Sequence, residues 1–196
     1  MTSSAHATDQ NIVLDKIIVL VGLMGAGKSC VGRRVAQRLN IPFLDADAEV
    51  EAAAGCSIVD IFEQYGEDAF RDGERRVIAR LLDGPPSVIA TGGGAFIDEQ
   101  TRALINEKGL SVWLRADLET LVERTSGRNH RPLLNGGDQR ETLAALIDQR
   151  HPIYAEADLV IDTGSDSANF TCARVIDALA TYGTGDASNR PQTQAL

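Results

Sequence analysis

The stretch "KIIVLVGLMGAGKSCVG", residues 16–32, decides the fold class of this 196-residue chain. Residues 17–22 form a continuous apolar run rich in β-branched side chains, which is typical of a strand buried on both faces. The following "GLMGAGKS", at 22–29, fits the spacing G-x-x-x-x-G-K-[ST] of a phosphate-binding loop. Apolar residues then recur at helical spacing over 30–39. The motif therefore stands between a strand and a helix, which is the context that such a loop requires.

The chemistry of phosphate binding explains the residue types in this loop. Glycines let the backbone turn with its N–H groups facing phosphate oxygens, and the helix that follows adds the positive end of its dipole. Lys28 is expected to reach the β- and γ-phosphates, and Ser29 to offer its hydroxyl to Mg²⁺. The alternative is a glycine-rich turn with a chance lysine. We assign phosphate binding to Gly22, Gly25, Ala26, Gly27, Lys28, Ser29 and Cys30.

Apolar runs alternate with helical patterns along the rest of the chain. Strands are predicted at 17–22, 42–47, 87–94, 110–116 and 157–163. Helices are predicted at 30–39, 57–82 and about 167–182, the second with a capping-box-like start at Ser57 and Asp60. This alternation predicts an α/β fold with a five-stranded parallel sheet that binds ligands at the carboxyl ends of its strands. Polar residues 1–14 and 183–196 are predicted to be flexible tails around a single domain at 15–182.

Composition limits the classes of function. The chain is 43% hydrophobic and 24% charged, as a soluble domain would be, and its net charge of −9 argues against a nucleic-acid partner. Its three cysteines form no C-x-x-C pair, and its three histidines lack the spacing of metal ligands. No signal-peptide pattern opens the chain, and no run approaches the ~18 apolar residues of a membrane span. We expect a cytoplasmic protein without a membrane partner.

Missing motifs disfavour two large classes of phosphate-loop protein. A GTPase would carry N-K-x-D and D-x-x-G, and neither tetrapeptide occurs in the chain. A motor or transporter ATPase would end the strand after the long helix in Asp, whereas here that strand ends in "TGGG" at 91–94. Glycines at this place allow a ligand to approach the backbone, although a tight strand-to-helix turn is the alternative.

Three further patterns carry charged groups. Asp45 and Asp47 stand at the end of the second predicted strand, where the i, i+2 spacing would place their side chains on the same side. There they could hold Mg²⁺, accept hydrogen bonds from substrate hydroxyls or cap a helix. Arg71 and Glu74 have the i, i+3 spacing of a helical ion pair. The arginine-rich stretch at 124–137 is predicted to be a mobile lid, with an ordinary solvated loop as the alternative.

Six ordered motifs resemble the shikimate kinase family, in the nucleoside-monophosphate-kinase-like group. They are "GLMGAGKS" (22–29), "FLDADAEVE" (43–51), "SIVDIFEQYGEDAFRDGE" (57–74), "TGGGA" (91–95), "RTSGRNHRPLL" (124–134) and "RHPIYAEAD" (150–158). The resemblance implies a three-layer α/β/α domain with strand order 2-3-1-4-5 and a substrate-binding region at about 46–83. It also implies a monomer that transfers the γ-phosphoryl group of ATP to the 3-hydroxyl of shikimate, with Mg²⁺, in aromatic amino-acid biosynthesis.

The resemblance also implies roles for the residues near the phosphates. Asp45, together with Ser29, would hold the magnesium ion. Asp47 would bind the attacking hydroxyl, and whether it takes the proton or only positions the hydroxyl is left open. Arg124 would pack on the adenine, and Arg131 in the lid would close on the phosphates. The implied catalytic residues are Lys28, Asp47 and Arg131.

Further residues would bind the acceptor. Arg71 and Arg150 would grip the carboxylate of shikimate, and Glu74 would orient Arg71. Gly73, which lies between them in the predicted helix, is expected to interrupt it at a cost of about 1 kcal/mol relative to Ala. Backbone approach to the same substrate would come from Gly92, Gly93 and Gly94.

Two other functions stay open at this point. One is a kinase for another small polyol acid, such as gluconate, although the D-x-D, GGG and F-R-x-x-E patterns favour shikimate. The other is a kinase-like domain that binds or regulates without catalysis. Against it stands the presence of Lys28, Asp47, Arg71, Arg131 and Arg150.

Overall fold

A computed structural model of the chain describes residues 16–126 and 138–183. Within these ranges a parallel sheet carries helices on both of its faces. The strands are β1 Ile17–Val21, β2 Phe43–Asp45, β3 Val88–Ala90, β4 Gly109–Ala116 and β5 Leu159–Thr163. The helices are α1 Lys28–Leu39, α2 Ala46–Ala54, α3 Ile58–Leu82, α4 Glu99–Lys108, α5 Leu118–Thr125, α6 Gln139–Tyr154 and α7 Ala168–Gly183.

The five strands lie in the order β2-β3-β1-β4-β5, and every neighbouring pair is parallel. This confirms the α/β fold class and the strand order expected from the family resemblance. All five residues of β1 are buried, because β3 and β4 flank it and helices cover both faces. A central strand buried on both faces requires apolar residues at successive positions, which explains the continuous apolar run at 17–22.

The second strand is shorter than predicted. It ends at Asp45, and α2, which the sequence patterns did not reveal, begins at the next residue. The Asp45 side chain caps α2 by accepting a hydrogen bond from the backbone N–H of Asp47 at 3.2 Å. Asp47 therefore lies in the first turn of a helix, and the argument that strand alternation aligns the two aspartates was wrong. For Asp45, the capping alternative was right.

The long helix α3 begins as predicted and is interrupted elsewhere than predicted. Ser57 and Asp60 form a complete capping box at its start. Gly73 continues the helix, so the expectation that it interrupts α3 was wrong. The break lies at Gly66, whose backbone adopts φ 81° and ψ 175°, a region that residues with a Cβ rarely occupy.

The topology gathers functional residues at one edge of the sheet. The carboxyl ends of β1, β2 and β3 lead into the phosphate loop, the Asp45 cap and the glycine stretch, and these strands are adjacent. Outside the described residues lie the predicted tail at 1–14, most of the predicted lid (127–137) and all of the predicted tail at 183–196 except Gly183, which ends α7. Across the ranges that are described, no helix combines the length and apolar character needed to cross a bilayer.

Candidate active site

The phosphate loop has the backbone that its glycines predicted. Gly22, Gly25 and Gly27 have φ angles of 133°, 84° and 94°. A Cβ on Gly22 would lie 2.7 Å from the carbonyl oxygen of Leu114, so neighbouring backbone also demands glycine there. Lys28 opens α1, and its Nζ donates to the carbonyl oxygen of Gly22 at 2.7 Å. The loop thus wraps the amino end of a helix and holds a lysine ammonium across itself, as a phosphate cradle requires.

A cavity of about 860 Å³ opens in front of this loop. The predicted site residues that line it are Gly25, Gly27, Lys28, Ser29, Cys30, Asp45, Asp47, Gly92, Gly93 and Arg124. Six other predicted residues do not line it: Gly22, Ala26, Arg71, Glu74, Gly94 and Arg150. The cavity therefore joins the phosphate loop to the aspartates at and just beyond the end of β2 and to the glycine stretch after β3.

Two oxygen-bearing side chains meet beside the loop. Ser29 Oγ donates to Asp45 Oδ2 at 2.9 Å, while Asp45 Oδ1 caps α2. No cluster of three or more His, Cys, Asp or Glu side chains with the geometry of a metal site occurs among the described residues. A hydroxyl and a carboxylate thus lie together beside the phosphate loop, and both groups suit a hard cation such as Mg²⁺.

Arg71 and Glu74 form an ion pair with one partner buried. Arg71 Nη1 lies 2.6 Å from Glu74 Oε2, and the Glu74 side chain is only 2% exposed. Burial raises the pKa of the Glu74 carboxyl, and the nearby Asp47 charge raises it further, while the Arg71 guanidinium opposes both. Glu74 Oε1 is buried and accepts no hydrogen bond within the described part of the chain. The pair places a guanidinium against a buried carboxylate.

The glycine stretch after β3 contacts both predicted carboxylate-binding arginines. A Cβ on Gly94 would lie 2.6 Å from Arg71 Nη1, so only glycine leaves room for that guanidinium. Arg150, from α6, donates through Nη1 to the carbonyl oxygen of Gly93 at 3.0 Å. A Cβ on Gly92 would crowd the carboxylates of Asp47 and Glu74, at 2.8 and 3.0 Å. The fold thus assembles residues from three distant parts of the chain around one short loop.

Arg124 lines the cavity next to the phosphate loop, with its Nη1 3.5 Å from the carbonyl oxygens of Gly25 and Ala26. It lies in the last turn of α5, donates to Thr163 Oγ1 at 3.3 Å and makes a short hydrogen bond to the carbonyl oxygen of Gly164. These contacts hold it beside the loop that follows β5. The predicted lid residue Arg131 lies outside the described residues.

Sequence reasoning missed two residues that support the site. Thr91 Oγ1 donates to the Leu20 carbonyl oxygen at 2.9 Å and so ties the glycine stretch to β1. Tyr154 donates its hydroxyl to the carbonyl oxygen of Gly93. Its position one helical turn after Arg150 was a usable signal, because residues at i and i+4 share a helix face.

A phosphate loop, a cavity-lining carboxylate and two arginines packed against an adjoining glycine stretch are the features expected of a P-loop kinase. Comparison with known proteins names the family. The family model for shikimate kinase matches residues 24–180. The shikimate kinase of Paramagnetospirillum magneticum is 60% identical over 169 residues, which cover 86% of this chain and 87% of that protein. The enzyme of Caulobacter vibrioides is 58% identical over 164 residues, covering 84% and 82%.

Solved structures agree with this result. A shikimate kinase from Acinetobacter baumannii in complex with shikimate superimposes with a TM-score of 0.82 and 36% identity, over 85% of this chain and 94% of that one. A gluconokinase from Sinorhizobium meliloti has a TM-score of 0.60 at 18% identity, over 87% and 94%, which shows the shared fold alone. The chain belongs to the shikimate kinase family. It is an ATP-dependent kinase that phosphorylates shikimate in the aromatic biosynthesis pathway.

Proposed function

We propose that the γ-phosphoryl group of ATP passes to the 3-hydroxyl of shikimate at the junction of the phosphate loop and the glycine stretch. The observation that carries this assignment is the position of Gly93. A Cβ there would lie 3.5 Å from the backbone nitrogen of Met24 and 3.7 Å from Arg150 Nη1. Groups that bind phosphate and groups that bind the acceptor are thus in direct proximity, which phosphoryl transfer requires of its two substrates.

The phosphate loop binds the triphosphate in this proposal. Backbone N–H groups between Gly22 and Cys30 and the amino end of α1 face the phosphate oxygens. Lys28 exchanges its carbonyl partners, at 2.7 and 2.9 Å, for the more strongly accepting β- and γ-phosphates. The lysine then neutralises charge that develops during transfer.

Ser29 and Asp45 hold the magnesium ion that accompanies ATP. Their oxygens lie 2.9 Å apart beside the loop, so a hydroxyl and a carboxylate are already directed to one place. Magnesium is ordinarily bound by one or two protein oxygens together with substrate phosphates and water, and this pair fits that pattern. Bound Mg²⁺ supplies charge neutralisation at the β- and γ-phosphate oxygens.

The acceptor lies against the glycine stretch. Asp47 accepts a hydrogen bond from the attacking hydroxyl and orients it toward the γ-phosphate. Arg71, held by Glu74, and Arg150 bind the carboxylate from two directions. The close approach of the substrate to the backbone uses Gly92, Gly93 and Gly94.

Two arginines complete the proposed nucleotide site. Arg124 packs on the face of the adenine, a cation–π contact that its position at the cavity wall supports. Arg131 closes on the phosphates from the lid and helps to exclude water. The proposal includes a monomeric cytoplasmic enzyme with neither nucleic acid nor membrane as partner.

A coupled assay of ADP release tests the acceptor and its site. Mg-ATP is supplied with shikimate, quinate, gluconate or no acceptor, for the wild type, Asp47→Ala and the exposed-residue control Asp177→Ala. We expect turnover with shikimate, its loss in Asp47→Ala and normal turnover in Asp177→Ala. Turnover with gluconate in place of shikimate would overturn the proposed acceptor site, and full activity of Asp47→Ala would remove Asp47 from it.

A further inference from the structure

Tyr154 is a buried polar residue to which the proposed mechanism gives no task. Its side chain is 0% exposed, with its ring centroid 6.4 Å from that of Phe96 and 5.8 Å from that of Trp113. The aromatic neighbours fix the ring, so the hydroxyl has a defined direction. It donates to the carbonyl oxygen of Gly93, in the middle of the glycine stretch after β3.

The same carbonyl oxygen also accepts from Arg150. Arg150 Nη1 lies 3.0 Å away, and a carbonyl oxygen has two lone pairs, so both donors are satisfied together. The peptide bond between Gly93 and Gly94 is trans, which directs the N–H of Gly94 away from these donors. In the described parts of the chain that N–H donates to no backbone oxygen. Gly94, which carries this N–H, is also the residue against which the Arg71 guanidinium packs.

Substrate binding would remove one of the two donors. A carboxylate is a stronger acceptor than a peptide carbonyl, so the Arg150 Nη1 that now donates to Gly93 is drawn to the acceptor when the acceptor binds. Burial raises the pKa of Tyr154 to about 12, against the opposing effect of the Arg150 guanidinium. The tyrosine therefore keeps its proton at working pH and stays a donor to Gly93 when the arginine turns away.

We propose that Tyr154 is a positioning residue: its hydroxyl holds the Gly93–Gly94 peptide and so lets Arg150 exchange the Gly93 carbonyl for the acceptor carboxylate. The inference rests on the proposed role of Arg150 in binding that carboxylate. Tyr154 touches neither substrate and acts through Gly93 and Arg150. Without the hydroxyl, Arg150 becomes the one side-chain donor to the Gly93 carbonyl among the described residues, and that carbonyl competes with the acceptor carboxylate for the Arg150 guanidinium.

Tyr154→Phe tests the inference, with Tyr182→Phe as a matched control. The change keeps the buried ring and deletes one hydroxyl, while Tyr182 is 37% exposed on α7. We expect the KM for shikimate to rise about tenfold, which is the effect of losing one hydrogen bond from the free energy of shikimate binding. The KM for ATP should stay within about twofold, because the phosphate loop is unchanged, and Tyr182→Phe should match the wild type.

A double-mutant cycle tests the exchange itself. If Tyr154 acts by releasing Arg150, then Tyr154→Phe should raise the KM for shikimate by no more than about threefold when Arg150 is already Ala, because no arginine remains to be released. Independent, multiplicative effects of the two substitutions would overturn the inference. So would an unchanged KM for shikimate in Tyr154→Phe.

The remaining outcomes separate this inference from the proposed function. Equal losses for ATP and shikimate, or loss of the folded state by circular dichroism, would show that Tyr154 only supports the core and would overturn the inference. In each of these cases, turnover of shikimate by the wild type leaves the proposed function standing. Failure of the wild type to phosphorylate shikimate would reject the proposed function and this inference with it.

Discussion

At the scale of single residues, the three consecutive glycines after β3 differ in what surrounds them. A Cβ on Gly94 would meet the Arg71 guanidinium, and one on Gly92 would meet two carboxylates. A Cβ on Gly93 would meet only ordinary contacts at 3.5 Å and beyond. The sequence "GGG" treats these positions alike, whereas the folded protein makes them chemically distinct.

Gly94→Ala should therefore weaken acceptor binding more than Gly93→Ala does. The added methyl group displaces the guanidinium and leaves the buried Glu74 carboxylate without its ion-pair partner, so the free energy of unfolding should fall as well. We expect the KM for shikimate to rise about tenfold or more in Gly94→Ala, because a charged hydrogen-bonding partner moves. Steady-state kinetics on both variants would check this. Equal KM values would contradict the proposed place of Arg71.

Glu74→Gln should separate the charge of this residue from its shape. An amide still fits beside Arg71 but no longer pairs with it as an anion, so we expect kcat/KM for shikimate to fall about tenfold to a hundredfold. Glu63→Ala, an exposed carboxylate on the same helix, is the control. Unchanged kcat/KM in Glu74→Gln would show that the charge is not needed.

Glu74 also predicts a dependence of stability on pH. Burial raises the pKa of the Glu74 carboxyl above its ordinary value of 4.5, so the folded state binds this proton more tightly than the unfolded chain. The stabilising contribution is then complete below the unfolded pKa and is lost as pH rises through the folded pKa. Urea unfolding at pH 4.5 and pH 7 should show the wild type gaining stability relative to Glu74→Gln at the lower pH. A gap that does not change with pH would contradict this.

At the scale of elements, α3 owes its break to one glycine and not to another. Gly66 and Gly73 both have open space where a Cβ would be, so only their backbone conformations distinguish them. Gly66 has a positive φ, and Gly73 is helical. The two positions form a matched pair in which the same substitution has opposite consequences.

Gly66→Ala should lower the free energy of unfolding by about 1–3 kcal/mol, because alanine is strained at that φ and ψ. Gly73→Ala should raise it by about 0.5–1 kcal/mol, because alanine favours the helix and restricts the unfolded chain. Urea titrations of both variants would check the signs. Stabilisation by both substitutions would show that α3 is continuous in solution.

Asp98 joins two helices and should be the source of an acid-sensitive contribution to stability. It caps α4 by accepting from the Thr101 N–H at 2.8 Å, and it pairs with Arg75 of α3 at 3.2 Å. Burial acts to raise its pKa, but the Arg75 and Thr101 hydrogen bonds outweigh burial and lower the pKa from 3.8 to about 2. A lowered pKa stabilises the folded state above the unfolded value, and that contribution disappears as pH falls from 3.8 toward 2.

Asp98→Ala should thus cost about 2 kcal/mol of unfolding free energy at pH 7, since each pKa unit corresponds to about 1.4 kcal/mol. The difference from the wild type should shrink as pH falls below 3.8. Asp83→Ala, which removes an exposed partner of Lys108, should cost less than about 1 kcal/mol. Urea unfolding across this pH range is the measurement. A cost that is independent of pH would assign the effect to packing alone.

At the scale of the whole molecule, the core and the family match define a minimal domain. Buried hydrophobic residues run from Ile17 to Leu179, and the family model matches 24–180. We propose that residues 15–183 suffice for folding and catalysis. A chain limited to these residues should keep kcat/KM for shikimate within about twofold, because every proposed site residue lies inside it. A larger loss would assign a role to the removed segments.

Local sequence was a good guide where the physics is local. The strand, loop and helix around Lys28, the capping box at Ser57 and the buried central strand all follow from periodicity and residue type within a few positions. Those patterns failed where two local signals conflicted. Asp47 follows a three-residue strand so closely that strand alternation seemed to continue, although Asp45 had already begun a helix.

The sequence by itself determined the phosphate loop, the alternation of strands and helices and, through its ordered motifs, the family of this enzyme. Spacing, hydrophobicity and glycine content act over short stretches of chain, so they can be read without the fold. Only the tertiary structure decided that Glu74 is buried, that Arg71 meets Gly94 and that Tyr154 bonds to Gly93. These contacts join residues far apart in the chain, and their energies depend on burial and direction, which exist only once the sheet has brought its strand ends together.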